Sequence, residues 1–334
     1  MEKQRVEWID LVKGFCMFAI IMCHSGWPEL YRKVCDPVFL SAYFFTAGYT
    51  FNKKDNFKSF ILNKIKSLIV PLLSFGIFNT IIAYIVDGDN IVDRLQGLLI
   101  QRTGWNDDLW FVACLFTTEI IFYFILMISK TKGYIIFFSL LVSIFGDLYI
   151  IYVRVVLPWQ FEKACVLVIF LALGYYLKII EKKYENFFTK LNRVGWIGVI
   201  FLTLIYVFVV FKYENPISIY GEQYGFYPLF LVITIIGLLT LTLFCYLLER
   251  CSFKENLFYK FILFVGKNTL TYYAFQSKII RVIALIIPNS KIKYNIYVYN
   301  IVISAIVYVI LIIPAIIIRK YFPFMLGKKI QKKI

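Results

Sequence analysis

Long apolar segments alternate with short polar ones along the whole chain. Each apolar segment is close to the length of about 20 residues that crosses a bilayer as an α-helix. Together they predict an all-α polytopic membrane protein with about ten transmembrane helices, at residues 7–26, 36–51, 64–86, 108–128, 133–153, 163–180, 194–212, 226–248, 262–287 and 296–318. The second segment is short, and the ninth carries Lys267, Gln276, Lys278 and Arg281. These two are therefore the segments that could tilt, break or re-enter.

The composition agrees with this class. Of the 334 residues, 61% are hydrophobic and 19% aromatic, and the mean hydropathy is +0.76, which exceeds what a soluble domain needs. No polar stretch is long enough for a separate soluble domain, so we predict a single integral-membrane domain over residues 1–334. Asp10 and Lys13 interrupt the first segment, and no small-residue cleavage site follows it. We therefore expect this segment to be retained as the first helix.

The basic residues indicate orientation rather than a nucleic-acid partner. A net charge of +16 would suggest nucleic acid in a soluble chain, but here Lys and Arg cluster in short loops between apolar segments. With a cytoplasmic N-terminus, 23 of them fall on the inner side and 9 on the outer side. This bias predicts that both termini are cytoplasmic.

The single histidine, His24, is the leading candidate for chemistry. Its side chain is the one whose ordinary pKa suits proton transfer at neutral pH. The seven cysteines form no Cys-x-x-Cys pair, and no second histidine is present to complete a zinc site. We therefore predict no metal site.

Helix periodicity places Asp10, Lys13 and His24 on one face of the first helix. Along the axis, His24 lies about 16 Å from Lys13 and about 21 Å from Asp10, so Asp10 cannot orient the imidazole. Asp10 is spaced to pair with Lys13 instead. Two interpretations are open: a charged inner end and an outer imidazole that serve one reaction across the membrane, or an interfacial histidine that simply ends a helix before Gly26 and Pro28.

The sequence resembles the membrane-bound acyltransferase-3 family, which includes bacterial sugar O-acetyltransferases. The match to its first-helix motif consists of Arg5, Trp8, Ile9, Asp10, Lys13, Gly14 and His24. Later matches, in the expected order, are residues 44–49 (Phe-Phe-Thr-Ala-Gly-Tyr), Lys64 with Lys66 and Pro71, residues 109–111 (Leu-Trp-Phe) with Leu115, Phe116 and Glu119, and residues 266–270 (Gly-Lys-Asn-Thr-Leu) with Tyr272 and Tyr273. Ten helices is also the usual count in that family.

Three positions depart from the family pattern. Lys13 stands where many members have arginine, a variant that resembles the fucose 4-O-acetylase-like branch. Ala47 replaces a usual serine, and Gln276 lies where a second histidine is often found. The lysine keeps the positive charge but loses the bidentate fork of a guanidinium.

The resemblance implies transfer of an acyl group from acyl-CoA, most often acetyl-CoA, to a sugar hydroxyl at the bacterial cytoplasmic membrane, with no tightly bound cofactor. In this interpretation His24 is the general base that takes the hydroxyl proton, or alternatively the site of an acyl-histidine intermediate. An inner donor-binding set would consist of Lys13, Asp10, Arg5, Lys64, Lys66 and Lys267, in which the cations meet the coenzyme A phosphates and Asp10 pairs with Lys13. Lysines in a cytoplasmic loop are also expected from topology alone.

The outer side offers candidates that could orient His24 or bind the sugar. Most of them lie near the predicted outer ends of the second and fourth helices, and Glu119 lies deeper; the set is Asp36, Asn106, Asp107, Asp108, Trp110 and Glu119. We expect Glu119 to pair with a lysine, carry a proton or be neutral, since an unpaired carboxylate within a membrane is costly.

Two other functions are compatible with a basic membrane bundle. One is a transporter or flippase for a lipid-linked saccharide, although no inverted repeat is visible. The other is a polysaccharide polymerase, although the long outer loop expected there is missing. In the acyltransferase reading, the partners are acyl-CoA, a sugar or polysaccharide acceptor and the lipid bilayer. Succinyl transfer is as compatible with these residues as acetyl transfer.

Overall fold

The computed structural model describes residues 5–26, 28–53, 56–103, 109–184, 193–287 and 295–328. In these ranges regular secondary structure is helical, apart from one isolated antiparallel bridge between Ser218 and Gln223. The α-helices are α1 (Glu7–His24), α2 (Glu29–Phe39), α3 (Ser41–Thr50), α4 (Phe57–Lys64), α5 (Val70–Asp87), α6 (Ile91–Ile100), α7 (Trp110–Ile128), α8 (Lys132–Tyr152), α9 (Phe161–Lys183), α10 (Arg193–Lys212), α11 (Tyr227–Arg250), α12 (Leu257–Lys267), α13 (Thr269–Ile286), α14 (Ile296–Ile310) and α15 (Ile312–Tyr321). A π-helix (Ile65–Ile69) joins α4 to α5.

Seven continuous helical segments of the described residues are long and apolar enough to cross a membrane. They are Phe57–Asp87, Trp110–Ile128, Lys132–Tyr152, Pro158–Lys183, Val194–Lys212, Tyr227–Arg250 and Ile296–Tyr321. The prediction of an all-α, multi-pass membrane protein is thus confirmed. Ten spans and cytoplasmic termini stay predictions.

The three predicted segments outside this set are those with charges or breaks. Helix α1 has 18 residues but carries Glu7, Asp10 and Lys13. The second segment is divided at Leu40 between α2 and α3, and the ninth is divided at Asn268 between α12 and α13.

The break at Asn268 has a local chemical cause. Its side-chain amide donates a hydrogen bond to the carbonyl of Phe264 at 2.7 Å, and its own carbonyl accepts bonds from the amides of Thr271 and Tyr272. Asparagine side chains compete with the backbone for such partners, which is why they favour helix ends over helix interiors. One helix therefore stops and the next begins at the same residue.

The chain forms two compact units. The first comprises residues 1–49 and 174–312, and the second comprises residues 50–173 and 313–334. In the first unit α1 is a central helix, with Trp8, Leu11 and Ile21 almost fully buried. It packs against α11, α12, α13 and α14.

In the second unit α7 packs against the π-helix, and α6 packs against α5. A cluster of aromatic rings fills the space beside the π-helix: Phe51 contacts Phe60 and Phe122, and the ring of Phe60 stacks on that of Tyr123 at 4.4 Å. Burial of such rings supplies much of the apolar contact that orders this unit.

Candidate active site

His24 is the last residue of α1, and its side chain is exposed. A polar network from α14 holds this helix end. Asn300 donates hydrogen bonds at 2.9 Å to the Met22 carbonyl and to the Ser25 hydroxyl, and Ser25 shares a 2.7 Å hydrogen bond with Ser304. Asn300, Ser304 and Ser25 are buried, so the residues on both sides of the imidazole are fixed.

This network was not predicted from the sequence. The sequence does contain a pattern that indicates it, because Asn300 and Ser304 lie four residues apart in a strongly apolar span and therefore share one helix face. Polar side chains inside a membrane helix usually find a partner on a neighbouring helix. Two residues after the end of α1 comes Gly26, whose φ of +99° is a left-handed conformation suited to glycine.

At the other end of α1, Asp10 is bound by a guanidinium. Arg5 donates two hydrogen bonds to its carboxylate, at 2.5 and 2.9 Å, and Asp10 is almost fully buried. Such bidentate, charge-assisted pairs are among the stronger polar contacts in proteins. The sequence favoured Lys13 for this carboxylate, and the structure shows Arg5 as a partner that spacing had not suggested.

Two glycines bring α1 and α12 into direct backbone contact. A Cβ atom on Gly14 would lie 2.4 Å from the Ile262 carbonyl oxygen, and one on Gly266 would lie 1.7 Å from the Asp10 carbonyl oxygen. Close crossings of this kind need small residues in membrane helices. The glycine of the first-helix motif and the glycine of the late motif thus form one contact.

This crossing carries two of the candidate donor lysines. Lys13 precedes Gly14 and Lys267 follows Gly266, so both lie at its margins, and both side chains are half-buried. The backbone beside them is fixed by tyrosines, since Tyr43 donates a hydrogen bond to the Lys13 carbonyl at 2.9 Å and Tyr308 donates one to the Gly14 carbonyl at 2.6 Å.

In the second unit Lys64 and Glu119 form an ion pair of 2.6 Å. Glu119 is almost fully buried, and the lysine ammonium also lies over the ring of Phe51 at 5.2 Å. The sequence assigned Lys64 to the donor side and Glu119 to the acceptor side or the orientation of His24, whereas the structure joins them at one place. Lys66 is exposed on the π-helix.

Trp110 lies in a second polar cluster that the sequence did not reveal. The ammonium of fully buried Lys163 is 5.5 Å from its ring and donates a 2.7 Å hydrogen bond to Gln160. Gln160, Trp159 and Gln101 all have positive φ, at 55°, 60° and 51°. Non-glycine residues in this region are uncommon and are often found at functional sites.

The remaining outer candidates, Asn106, Asp107 and Asp108, lie outside the described residues.

Asp36 lies on α2 and lines a charged cavity of about 510 Å³ in the first unit. Arg32 contacts its carboxylate at 3.8 Å. Cys35, the residue before Asp36, lines a second cavity together with Ala19, so this part of α2 lies beside the half of α1 that ends at His24. The other charged residues of the lining are Glu29, Lys33 and Glu214.

These features define a helical membrane protein in which one buried helix carries ionisable residues near both of its ends. The chain belongs to the acyltransferase-3 family, since the family's model, described as an acyltransferase domain, matches residues 6–319. The protein is therefore a membrane acyltransferase. Comparisons with curated proteins and with solved structures give no significant match.

Proposed function

We propose that the protein is an O-acyltransferase that moves an acetyl or other short acyl group from acyl-CoA to a sugar hydroxyl. The acceptor would be a bacterial surface polysaccharide or its lipid-linked precursor, as in the fucose 4-O-acetylase-like branch. The proposal includes ten spans in the cytoplasmic membrane, with both termini cytoplasmic. The observation that carries it is α1, which holds His24 at one end and the Arg5–Asp10 pair with Lys13 at the other.

His24 would act on the acceptor. A sugar alcohol is a poor nucleophile until its proton is removed, and an imidazole within hydrogen-bond reach can take that proton as the oxygen attacks the thioester carbonyl. The C–S bond of the thioester then breaks and coenzyme A leaves as the thiolate. The imidazolium can return its proton to that thiolate. An acyl-histidine intermediate is the alternative chemistry.

The basic residues near the α1–α12 crossing would bind the donor. Lys13 and Lys267 are half-buried cations that suit the phosphates of coenzyme A without needing fork geometry. Arg5 and Asp10 would fix the start of α1 beside them. In the second unit, Lys64 and Lys66 are further candidate cations for the phosphates, and the charge of Lys64 is partly offset by Glu119.

A donor bound in this way would have to reach along α1. The axial distance of about 16 Å between Lys13 and His24 suits a ligand with a long flexible arm, such as the pantetheine of coenzyme A. The phosphates would be at one end of the helix and the thioester at the other.

The cavity beside Asp36 would receive the acceptor. Its volume of about 510 Å³ falls in the ordinary range for small-ligand sites. Carboxylates such as Asp36 and Glu214 can accept hydrogen bonds from sugar hydroxyls. The cavity lies beside α2, which follows α1 in the chain and packs against it.

Replacement of His24 tests the proposal. We expect His24→Ala to reduce transfer from labelled acetyl-CoA to surface glycan by at least 100-fold, within the range typical of a general base. Protein level in the membrane should not change. Cys23→Ala, at the preceding position of the same helix, is the matched control and should keep near-normal activity.

Three further results are informative. Transfer at the wild-type rate in His24→Ala would rule out the catalytic assignment. Intact-mass measurement of wild-type protein incubated with acetyl-CoA but no acceptor separates the two mechanisms, since only the covalent route adds an acetyl group that His24→Ala cannot carry. Movement of a lipid-linked saccharide across the membrane without acyl transfer would favour the transporter instead.

A further inference from the structure

Two cavities of opposite character lie on either side of α2 in the first unit. The charged one, beside Asp36, is described above. The second has a volume of about 400 Å³ and an almost wholly apolar lining, formed by residues of α1, α2, α10 and α11. Phe15, Ala19, Val38, Thr203 and Leu241 are representative of this lining.

Helix α2 separates the two cavities by its own amphipathic pattern. Arg32, Lys33 and Asp36 line the charged cavity, whereas Cys35 and Val38 line the apolar one. At 100° per residue these two sets point to opposite faces of the helix. The two linings are therefore about one helix diameter apart, roughly 10 Å.

The same two long helices form walls of both cavities, at successive levels. On α10, Thr203 lines the apolar cavity and Val210 the charged one; on α11, Leu241 lines the apolar cavity and Ile233 the charged one. Both helices are candidate membrane spans. The apolar cavity thus lies within the span, and the charged cavity lies at its end, beside the segment that joins the two helices.

The apolar cavity is also next to the lipid-facing surface. Helix α10 is the least buried of the candidate spans, since only 17% of its most apolar 18-residue stretch is buried inside the protein. Leu204 and Phe208 on this helix are 65% and 64% exposed. A hydrocarbon chain could therefore enter the apolar cavity from the side.

We propose that these two cavities together bind one amphiphilic acceptor: a saccharide joined through phosphate to a long hydrocarbon chain. The hydrocarbon chain occupies the apolar cavity on one side of α2, and the phosphate and sugar occupy the charged cavity on the other side. This inference rests on the proposed function and identifies its acceptor as lipid-linked rather than a finished polysaccharide.

Charge and size support this occupant. Arg32 and Lys33 are cations suited to a phosphate. A cavity of about 510 Å³ is larger than a phosphate alone requires, and its carboxylates suit sugar hydroxyls. Ala19, in the apolar cavity, is five residues from His24, or about 8 Å along α1. A lipid held in this way would present its head at the end of α1 where His24 lies.

The first test measures binding without catalysis. The full chain is placed in nanodiscs of phosphatidylcholine and irradiated with glucose 1-phosphate esterified to a farnesyl chain that carries a terminal diazirine. We expect cross-links on α1 and α11 within the apolar cavity. Thr203→Trp, which fills that cavity, should lower the yield at least tenfold, and Thr240→Trp on the opposite wall should act likewise.

The controls are matched by position. Leu204→Trp places the same ring on the lipid-facing side of α10 and should leave the yield unchanged. Arg32→Gln with Lys33→Gln should weaken labelling, whereas Lys212→Gln should not. Unchanged labelling in both cavity-filling variants would overturn the proposal, and so would equal competition by phosphatidylglycerol, which would indicate a general site for anionic lipids.

The second test separates this inference from the proposed function. Thr203→Trp should reduce acyl transfer to a lipid-linked saccharide at least tenfold and leave transfer to the free saccharide unchanged. Equal rates of the variant and the wild type on the lipid-linked acceptor would overturn the lipid site alone. Absence of acyl transfer by the wild type to any acceptor, with labelling intact, would instead overturn the proposed function.

Discussion

At the scale of single residues, the two ends of α1 are fixed by different kinds of contact. Arg5 holds Asp10 through a guanidinium fork, and Asn300 holds the turn around His24 through amide hydrogen bonds. Neither partner was identifiable from spacing on α1. Arg5 precedes the helix, and Asn300 is 276 positions after His24, so each contact depends on the folded chain.

The Arg5–Asp10 pair leads to a prediction about the donor. Asp10→Asn removes the negative charge from two charge-assisted hydrogen bonds, at a cost of about 1–3 kcal/mol. We expect the KM for acyl-CoA to rise roughly tenfold with little change in kcat. Arg5→Lys should behave similarly, because a lysine keeps the charge but loses the fork.

Steady-state kinetics with acyl-CoA as the varied substrate measures this effect. Lys260→Gln breaks an exposed ion pair with Glu255 and serves as the control, with no measurable change expected. If Asp10→Asn lowered kcat and left the KM unaltered, the pair would belong to the chemical step rather than to donor binding.

The network around His24 leads to a second prediction. Asn300→Leu removes two hydrogen bonds to the end of α1, each worth about 1 kcal/mol. We expect kcat to fall at least fivefold while the KM for acyl-CoA stays within twofold, since the proposed donor site is at the other end of the helix. Ser304→Ala removes one bond and should have a smaller effect.

Activity assays on membranes with matched protein levels test this prediction. Ser304→Thr keeps the hydroxyl and should retain more activity than Ser304→Ala. A fall in membrane protein level that accounts for all of the lost activity would show that Asn300 is needed for folding and not for the position of His24.

At the scale of helices, the length of an apolar segment predicted that a helical segment exists better than it predicted whether that segment is one unbroken helix. The pattern predicted a helical segment at 262–287, and helices α12 and α13 occupy most of it. The break at Asn268 depends on one side-chain hydrogen bond to Phe264, which hydropathy does not register. The sequence allowed a lysine partner for Glu119 but did not identify it as Lys64, because 55 residues separate the two and their contact requires α4 to pack near α7.

The contact between α1 and α12 leads to a third prediction. Gly14→Ala and Gly266→Ala would each place a methyl group against backbone, at 2.4 and 1.7 Å from carbonyl oxygens. Backbone cannot move aside as a flexible side chain can, so we expect each variant to lose at least about 1–3 kcal/mol of stability. Both should lower the thermal unfolding midpoint of the purified protein.

Gly133→Ala is the matched control on another helix. Its new methyl group would have no neighbour closer than 3.9 Å, and alanine favours a helix over glycine by up to about 1 kcal/mol. We expect an unchanged or slightly raised midpoint. Equal midpoints for Gly14→Ala and Gly133→Ala would show that the close crossing is not present in solution.

At the scale of the whole molecule, the order of the segments makes orientation testable. Helix α11 is a candidate span, so the residues before Tyr227 and those after Arg250 should lie on opposite sides of the membrane. The 23-to-9 distribution of basic residues predicts that the later group, which includes Glu255, is cytoplasmic. Glu214, before α11, should face outward together with the charged cavity that it lines.

Cysteine labelling of intact cells tests this arrangement. In a chain with its seven native cysteines replaced by serine or alanine, an impermeant maleimide should modify Glu214→Cys from outside. It should reach Glu255→Cys only after the cells are opened. The opposite pattern would invert the topology and place His24 on the cytoplasmic side, where acyl-CoA and acceptor would share one compartment. Labelling of both positions from outside would mean that α11 does not cross the membrane.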